Sequence, residues 1–168
     1  MSAIAFIDLE ASGLGPASWP IEVGWCFVEG APSTFLIKPD AGWSDEAWEP
    51  AAEALHGVAR TNLDVDGVAT GEICTALNAA LKDAVVYSDA PDWDGFWLYR
   101  LFAAAKMRQR FELRDFAELF AAILPAEFEA AKVAASDLAP HRHRAAADVL
   151  HMRALFAAAQ AGPPPSGL

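Results

Sequence analysis

The acidic residues of the chain fall where metal chemistry could use them. Asp8 and Glu10 close a run, AIAFI at 3–7, that carries no polar side chain. Period-two strand geometry turns both carboxylates to one face while Leu9 points to the other. Two anions on one face repel, and a run so apolar belongs to a buried central strand. A hard divalent ion such as Mg²⁺, which selects oxygen ligands, relieves that repulsion; the ordinary alternative is two solvated acids at a strand end. A second acidic segment, SDAPDWDGFWLYRLF, follows the apolar run at 84–87. There Asp92 suits a helix cap, and Asp94 falls in the first turn, where the helix dipole alone would favour an acid. The third segment, HRHRAAADVLHMRALF, pairs His143 with Asp148. Five residues turn about 140° around an ideal helix, so the two meet only if His143 precedes the helix on the loop after Pro140.

Positioning these groups asks for a particular order of elements. Three β-like runs, Ala3 to Leu9, Ile21 to Val28 and Thr34 to Lys38, are separated by GLGP and EGAP and read as an antiparallel meander. Helical spacing follows over Asp45 to Leu55 and Gly67 to Leu81, then a short buried strand at Ala84 to Tyr87. A helix over Trp93 to Met107 should send Phe96, Trp97, Leu101 and Phe102 into the core. A fifth strand around Phe111 to Leu113 precedes helices at Asp115 to Leu124, Ala126 to Ala135 and Arg144 to Ala161. Strands first paired and then alternating with helices imply an α/β fold, a mixed sheet with helices on its faces. The length of 168 residues predicts one domain over 1–161, with the GPPPSGL end as a loose tail at 162–168.

Composition narrows the function classes. No stretch reaches the roughly 18 apolar residues of a membrane span, and the start lacks the basic region of a secretory signal, so the expectation is a cytoplasmic protein. Cys26 and Cys74 lie far apart without zinc spacing, which argues for buried reduced thiols. The net charge of −11 speaks against coating long polyanions. Cations bound by carboxylates would reverse that sign locally. Basic help is limited to Arg100, Lys106, Arg108, Arg110 and Arg114. No GxSxG or GxxxxGK motif is present, and the His141, His143 pair has no third nitrogen or sulfur ligand at zinc spacing.

In combination, FIDLEASGL, an Asp four residues before a Leu after the mid-chain strand, and HRAAAD resemble the DEDD superfamily of 3′-5′ exonucleases, in its histidine branch. The resemblance runs from residue 4 to about residue 156. PIEVGWCFV resembles the family's second strand, and ALHGV around His56 resembles its HG turn. It implies a ribonuclease-H-like fold, a mixed five-stranded sheet flanked by helices. It further implies two Mg²⁺ or Mn²⁺ ions about 4 Å apart, the arrangement that stabilises both oxygens of an in-line displacement. Asp8 would bridge the ions, with Glu10 and Asp148 on one and Asp94 reaching the other. His143 would be the general base. Ser12, Gly13 and Leu14 would hold the 3′-terminal nucleotide, with His56 as a further substrate contact; among the tryptophans, which otherwise suit core packing, Trp93 is a substrate-contact candidate by its position beside Asp94. The segment YSDAPDWD lacks the family's usual Asn, which leaves Asp89 and Asp92 open beside Asp94 as the third acid.

The expected function is therefore phosphodiester hydrolysis at single-stranded DNA or RNA 3′ ends, with no membrane partner. Two alternatives carry the same residues: a silent exonuclease-like module docking on a nucleic-acid-processing partner, and a hydrolase of small phosphate esters or nucleotides. The choice of DNA or RNA and the oligomeric state, a homodimer included, stay open.

Overall fold

The computed structural model describes residues 2–161; the tail expected at 162–168 lies outside the described residues. Five strands form one sheet in the order β3-β2-β1-β4-β5. They are β1 (Ala3–Ala11), β2 (Pro20–Phe27), β3 (Ser33–Leu36), β4 (Ala84–Ser88) and β5 (Leu113–Asp115). The first three pair antiparallel, as the meander required, while β4 runs parallel to β1 and β5 parallel to β4. Six α-helices cover the sheet: α1 (Pro50–His56), α2 (Arg60–Asp66), α3 (Thr70–Leu81), α4 (Pro91–Ala104), α5 (Pro125–Leu138) and α6 (Ala145–Ala161). This is the mixed α/β architecture that the order of elements predicts.

The central strand explains how the site is aimed. Along β1 the odd residues Ala5, Ile7 and Leu9 pack with Ile73, Leu77 and Leu98 of α3 and α4. The even residue Phe6 packs with Val149 and Met152 of α6. Alternation therefore carries the next even positions, Asp8 and Glu10, onto the α6 face at the C-terminal end of the parallel strands, where open α/β sheets bind ligands.

The same alternation on β2 builds the seat for α6. Cys26 Sγ donates to Val149 O at 3.3 Å. Arg144 grips Glu22 with Nη2–Oε1 at 2.8 Å and Nε–Oε2 at 3.0 Å, and the Ala145 N–H adds a third bond to Oε2 at 3.1 Å. Between them Gly24 has no side chain, and the first turn of α6 lies directly on its backbone: a Cβ there would stand 2.7 Å from the Ala145 carbonyl carbon.

Local departures from the predicted elements have steric causes. The helix expected over Asp45 to Leu55 is broken into a 3₁₀ turn at Asp45–Ala47 and α1. Pro50 starts α1 and holds the preceding Glu49 extended. The segment expected at Asp115 to Leu124 is a 3₁₀ helix over Phe116–Phe120, with the Asp115 carboxylate accepting from Ala117 N. The fifth strand lies two residues later than predicted. Helix α2, which sequence periodicity missed, contributes Leu63 to a cluster with Trp19, Ile21 and Val58. Phe96 is half-buried rather than a core residue.

Gly24→Ala should force α6 off the sheet. We expect a loss of roughly 1–3 kcal/mol, the usual cost of overpacking, measured by urea denaturation.

Candidate active site

Asp8 is the hub. One oxygen each from Asp8, Glu10 and Asp148 lie within 4.8 Å of one another, and so do oxygens of Asp8, Asp89 and Asp94. Asp8, Asp94 and Asp148 are buried, Glu10 is half-buried and Asp89 is exposed. Asp8 Oδ2 is buried with no hydrogen-bond donor near it, a costly state for a carboxylate oxygen in a site that offers only other acids. A divalent cation fits both oxygen triads by donor chemistry.

Each acid is held by a different part of the chain. Where β4 ends, the Leu9 N–H of β1 donates to Asp94 Oδ1 at 3.2 Å, and the Ser88 hydroxyl donates to Oδ2 at 2.5 Å. Asp94 is thereby locked by a strand it does not belong to. Asp148 Oδ1 accepts from Arg142 N at 2.8 Å, which folds the pre-helix loop back over the first turn of α6. His143 sits on that loop with φ +52°, a left-handed backbone uncommon outside glycine. Ring nitrogens of His141 and His143 and an Asp148 oxygen also lie within 4.8 Å of one another, and His141 Nε2 stands 3.5 Å from Asp148 Oδ2.

Burial and crowding of like charge hold protons on these acids. Burial first, and then the charges of Asp94, Glu10 and Asp148, push the Asp8 carboxyl well above the ordinary range. Burial, Asp148 and Glu22 raise Glu10 to about 8. Asp94 rises to about 7 through burial, against the pull of its Ser88 and Leu9 hydrogen bonds.

Beside Glu10 opens a largely apolar cavity of about 190 Å³, lined among others by Gly13, Leu14, Leu55, His56 and Trp97. His56 Nδ1 accepts from Val58 N at 3.0 Å, so the neutral ring carries its proton on Nε2. Burial lowers the pKa and keeps the ring neutral. Nε2 is buried and makes no hydrogen bond of good geometry, although the Ala11 backbone lies close enough to favour its proton. Across the mouth, Glu49 Oε1 accepts from the Leu14 and Gly15 N–H groups, both at 3.1 Å.

The structure thus brings Asp8, Glu10, Asp94, His143 and Asp148 together, and collects Gly13, Leu14 and His56 around the adjoining cavity. Of the three acids left open after β4, Asp89 and Asp94 both reach Asp8, while Asp92 is exposed and joins neither triad. Ser12 does not line the cavity; it is fully buried, its hydroxyl accepting from Trp19 N at 3.0 Å. Trp93 is 40% exposed and stacks at 5.4 Å on Trp97, a cavity residue. Sequence reasoning missed Glu22, Gly24, Ser88 and Glu49. The alternation E-x-G-x-C on β2 was the available signal for the first two.

No protein-family model matches the chain, and no curated protein matches it. Solved structures do. Exonuclease I of E. coli in complex with a dT13 oligonucleotide superposes with a TM-score of 0.71 at 16% identity, over 92% of this chain and 40% of that one. The E. coli enzyme in complex with a dA16 oligonucleotide gives 0.70 at 16% identity over 92% and 40%. A moderately thermophilic exonuclease I from Methylocaldum szegediense gives 0.69 at 18% identity over 92% and 39%. The chain spans about two fifths of the length of these proteins, and the fold it shares with them is ribonuclease-H-like.

The acid cluster should leave a signature in stability. Between the ordinary Glu value of 4.5 and about 8 for Glu10, the folded state keeps protons that the unfolded chain has released. The unfolding free energy contributed by the cluster therefore falls as pH rises through that window. In chelator, thermal scans from about pH 5 to about pH 8.5 should show Asp8→Asn gaining stability over the parent toward the alkaline end. Millimolar Mg²⁺ should raise the parent's melting temperature most at the same end, because it binds the ionised cluster.

Proposed function

We propose that the chain is a metal-dependent 3′-5′ exonuclease of the histidine branch of the DEDD superfamily, acting on single-stranded DNA or RNA ends. One observation carries the reading: the buried carboxylate of Asp8 belongs to two oxygen triads at once, and its Oδ2 has no donor. The shared fold with structures of exonuclease I in complex with dT13 and dA16 supports it.

Asp8, Glu10 and Asp148 would hold one divalent ion, Mg²⁺ or Mn²⁺, and Asp8, Asp89 and Asp94 a second. When bound, such ions supply the positive charge that a phosphodiester needs in an acidic site and make water a better nucleophile. The protein's own groups do the rest. His143, placed beside Asp148, takes the proton of the attacking water, for which a neutral imidazole is suited. The cavity receives the 3′-terminal nucleotide. Leu14 and Leu55 offer apolar surface to its base, and the His56 Nε2–H donates to one of its oxygens, filling the one hydrogen bond that this buried ring lacks. Gly13 lines the cavity and, lacking a side chain, lets the Glu49 carboxylate pack against the loop, with Ser12 holding the loop in shape from below. Trp93 extends the contact surface from Trp97 toward solvent.

Labelled single-stranded DNA and RNA should be shortened from the 3′ end with Mg²⁺ or Mn²⁺ and left intact in excess chelator. Asp8→Asn should be inactive while remaining folded. His143→Ala should bind Mg²⁺ as the parent does but cleave roughly 10²–10⁴-fold more slowly, the range for losing a positioned base. Parent-level cleavage by His143→Ala, with His141→Ala inactive, would transfer the role to His141; full activity in chelator would sink the reading.

A further inference from the structure

Between Gly95 and Phe111 the chain carries four cations and no acid, although its net charge is −11. This stretch is most of α4 and the loop beyond it. Helical spacing puts Trp93, Phe96 and Arg100 on one stripe of α4, beside the face that buries Asp94, Trp97, Leu98 and Leu101. Trp93 packs edge-on against Phe96 at 6.4 Å, and the Arg100 guanidinium lies 5.9 Å from the Phe96 ring centre. Lys106, Arg108 and Arg110 follow.

Two observations show that these cations are available and held in place. None of the four forms an ion pair among the described residues, whereas Arg60, Arg114, Lys132 and Arg144 are all paired with acids. The loop is clasped by the buried side chain of Asn78 on α3, which donates to Arg108 O at 2.9 Å and accepts from Arg110 N at 2.8 Å. An open cleft of about 440 Å³ lies there, lined by Asn78, Lys82, Arg108 and Arg110 among others. The acids of α4, Asp92 and Asp94, lie in its first turn at the opposite end, beside the candidate metal site.

We propose that the upstream part of a single-stranded nucleic acid lies along α4, its bases on the Trp93 and Phe96 stripe and its phosphates on Arg100, Lys106, Arg108 and Arg110. The inference rests on the nuclease reading of the site. Aromatic faces interleaved with cations are the physical requirement for holding a single strand without reading its sequence. Continuity with the active site comes through Trp97, which lines the terminal-nucleotide cavity and stacks on Trp93 at 5.4 Å. The 14 residues of α4 at 1.5 Å each give a track of about 21 Å, on the order of four nucleotides, the low end of single-strand site sizes. The track answers the electrostatic problem of a chain whose net charge is −11.

The test compares a labelled single-stranded oligonucleotide of about 20 nucleotides with a dinucleotide and with thymidine 5′-p-nitrophenyl phosphate. The parent should prefer the long substrate in kcat/KM by about tenfold or more. The Arg108→Glu/Arg110→Glu variant should lose that preference and keep parent turnover of the dinucleotide and the ester. Fluorescence anisotropy of the long oligonucleotide in chelator gives a readout independent of catalysis. There the variant should bind about tenfold more weakly, with a salt dependence shallower by about two phosphates, and Trp93→Ala should weaken binding by roughly tenfold. A double variant that binds and cleaves the long substrate as the parent does overturns the track. So does one that loses dinucleotide activity in equal measure. If the parent cleaves none of the three substrates, the nuclease reading falls, and the binding arm still decides the track.

Discussion

Mutual repulsion of the carboxylates gathered around Asp8 is the constraint on which the rest of the structure depends. Asp8, Asp94 and Asp148 are buried next to one another with Glu10 half-buried beside them, an arrangement that opposes folding at neutral pH unless protons or cations compensate. Among the described residues no Lys or Arg forms an ion pair with any acid of the two triads. The Arg144 guanidinium, which acts on Glu10 as well, is committed to Glu22. The fold tolerates the cluster by anchoring every acid to a rigid element, at the end of a central strand or in the first turn of a helix, so that the acids cannot drift apart to relieve the repulsion.

The anchoring of α6 is the most demanding part. Its first turn must come close enough for Asp148 to share a site with Asp8 and Glu10, which brings backbone against backbone at Gly24. Glu22, buried on the same strand face, would be an isolated charge without Arg144, and breaking a buried pair on one side is far more costly than the pair is worth. The pair therefore acts less as a source of stability than as a device of registry. It permits one placement of α6, the one in which Asp148 faces Asp8. His143 and Arg142, held between this helix and the acid they cover, inherit that placement, and the left-handed backbone of His143 is where the chain absorbs the turn.

The opposite wall of the site is arranged by hydrogen bonds that are not themselves catalytic. Ser12 and Trp19 bond reciprocally, backbone to backbone and hydroxyl to amide, and this closes the loop after β1 so that Gly13 and Leu14 face the cavity. Glu49 ties the same loop to the start of α1 through two amides. A wall built this way exposes apolar surface next to a pocket of acids.

Much of this was legible in the sequence. The AIAFI run followed by two acids at alternate positions revealed a central strand and its acid-bearing edge, because strand period and burial are local properties of the chain. The order of the strands followed from spacing and Gly/Pro punctuation, and the placement of His143 ahead of α6 from its distance to Asp148 together with Pro140. The break at Pro50 and the short 3₁₀ helix after β5 did not, since both turn on how a few residues cap or pack rather than on periodicity. Nor could the sequence choose among the acids of SDAPDWD: Asp89 and Asp94 differ from Asp92 only in which of them reaches Asp8, a distance set by where β4 lies beside β1. Asn78 was likewise silent, as it acts on a partner 30 residues away, and the alternation at Glu22 and Gly24 marked two inward positions without revealing the helix they hold. Local pattern determined which residues could do chemistry and which elements would carry them. Tertiary structure decided which of them converge, because convergence of like charges is enforced by the packing of the whole sheet and opposed by the local preferences of the residues themselves.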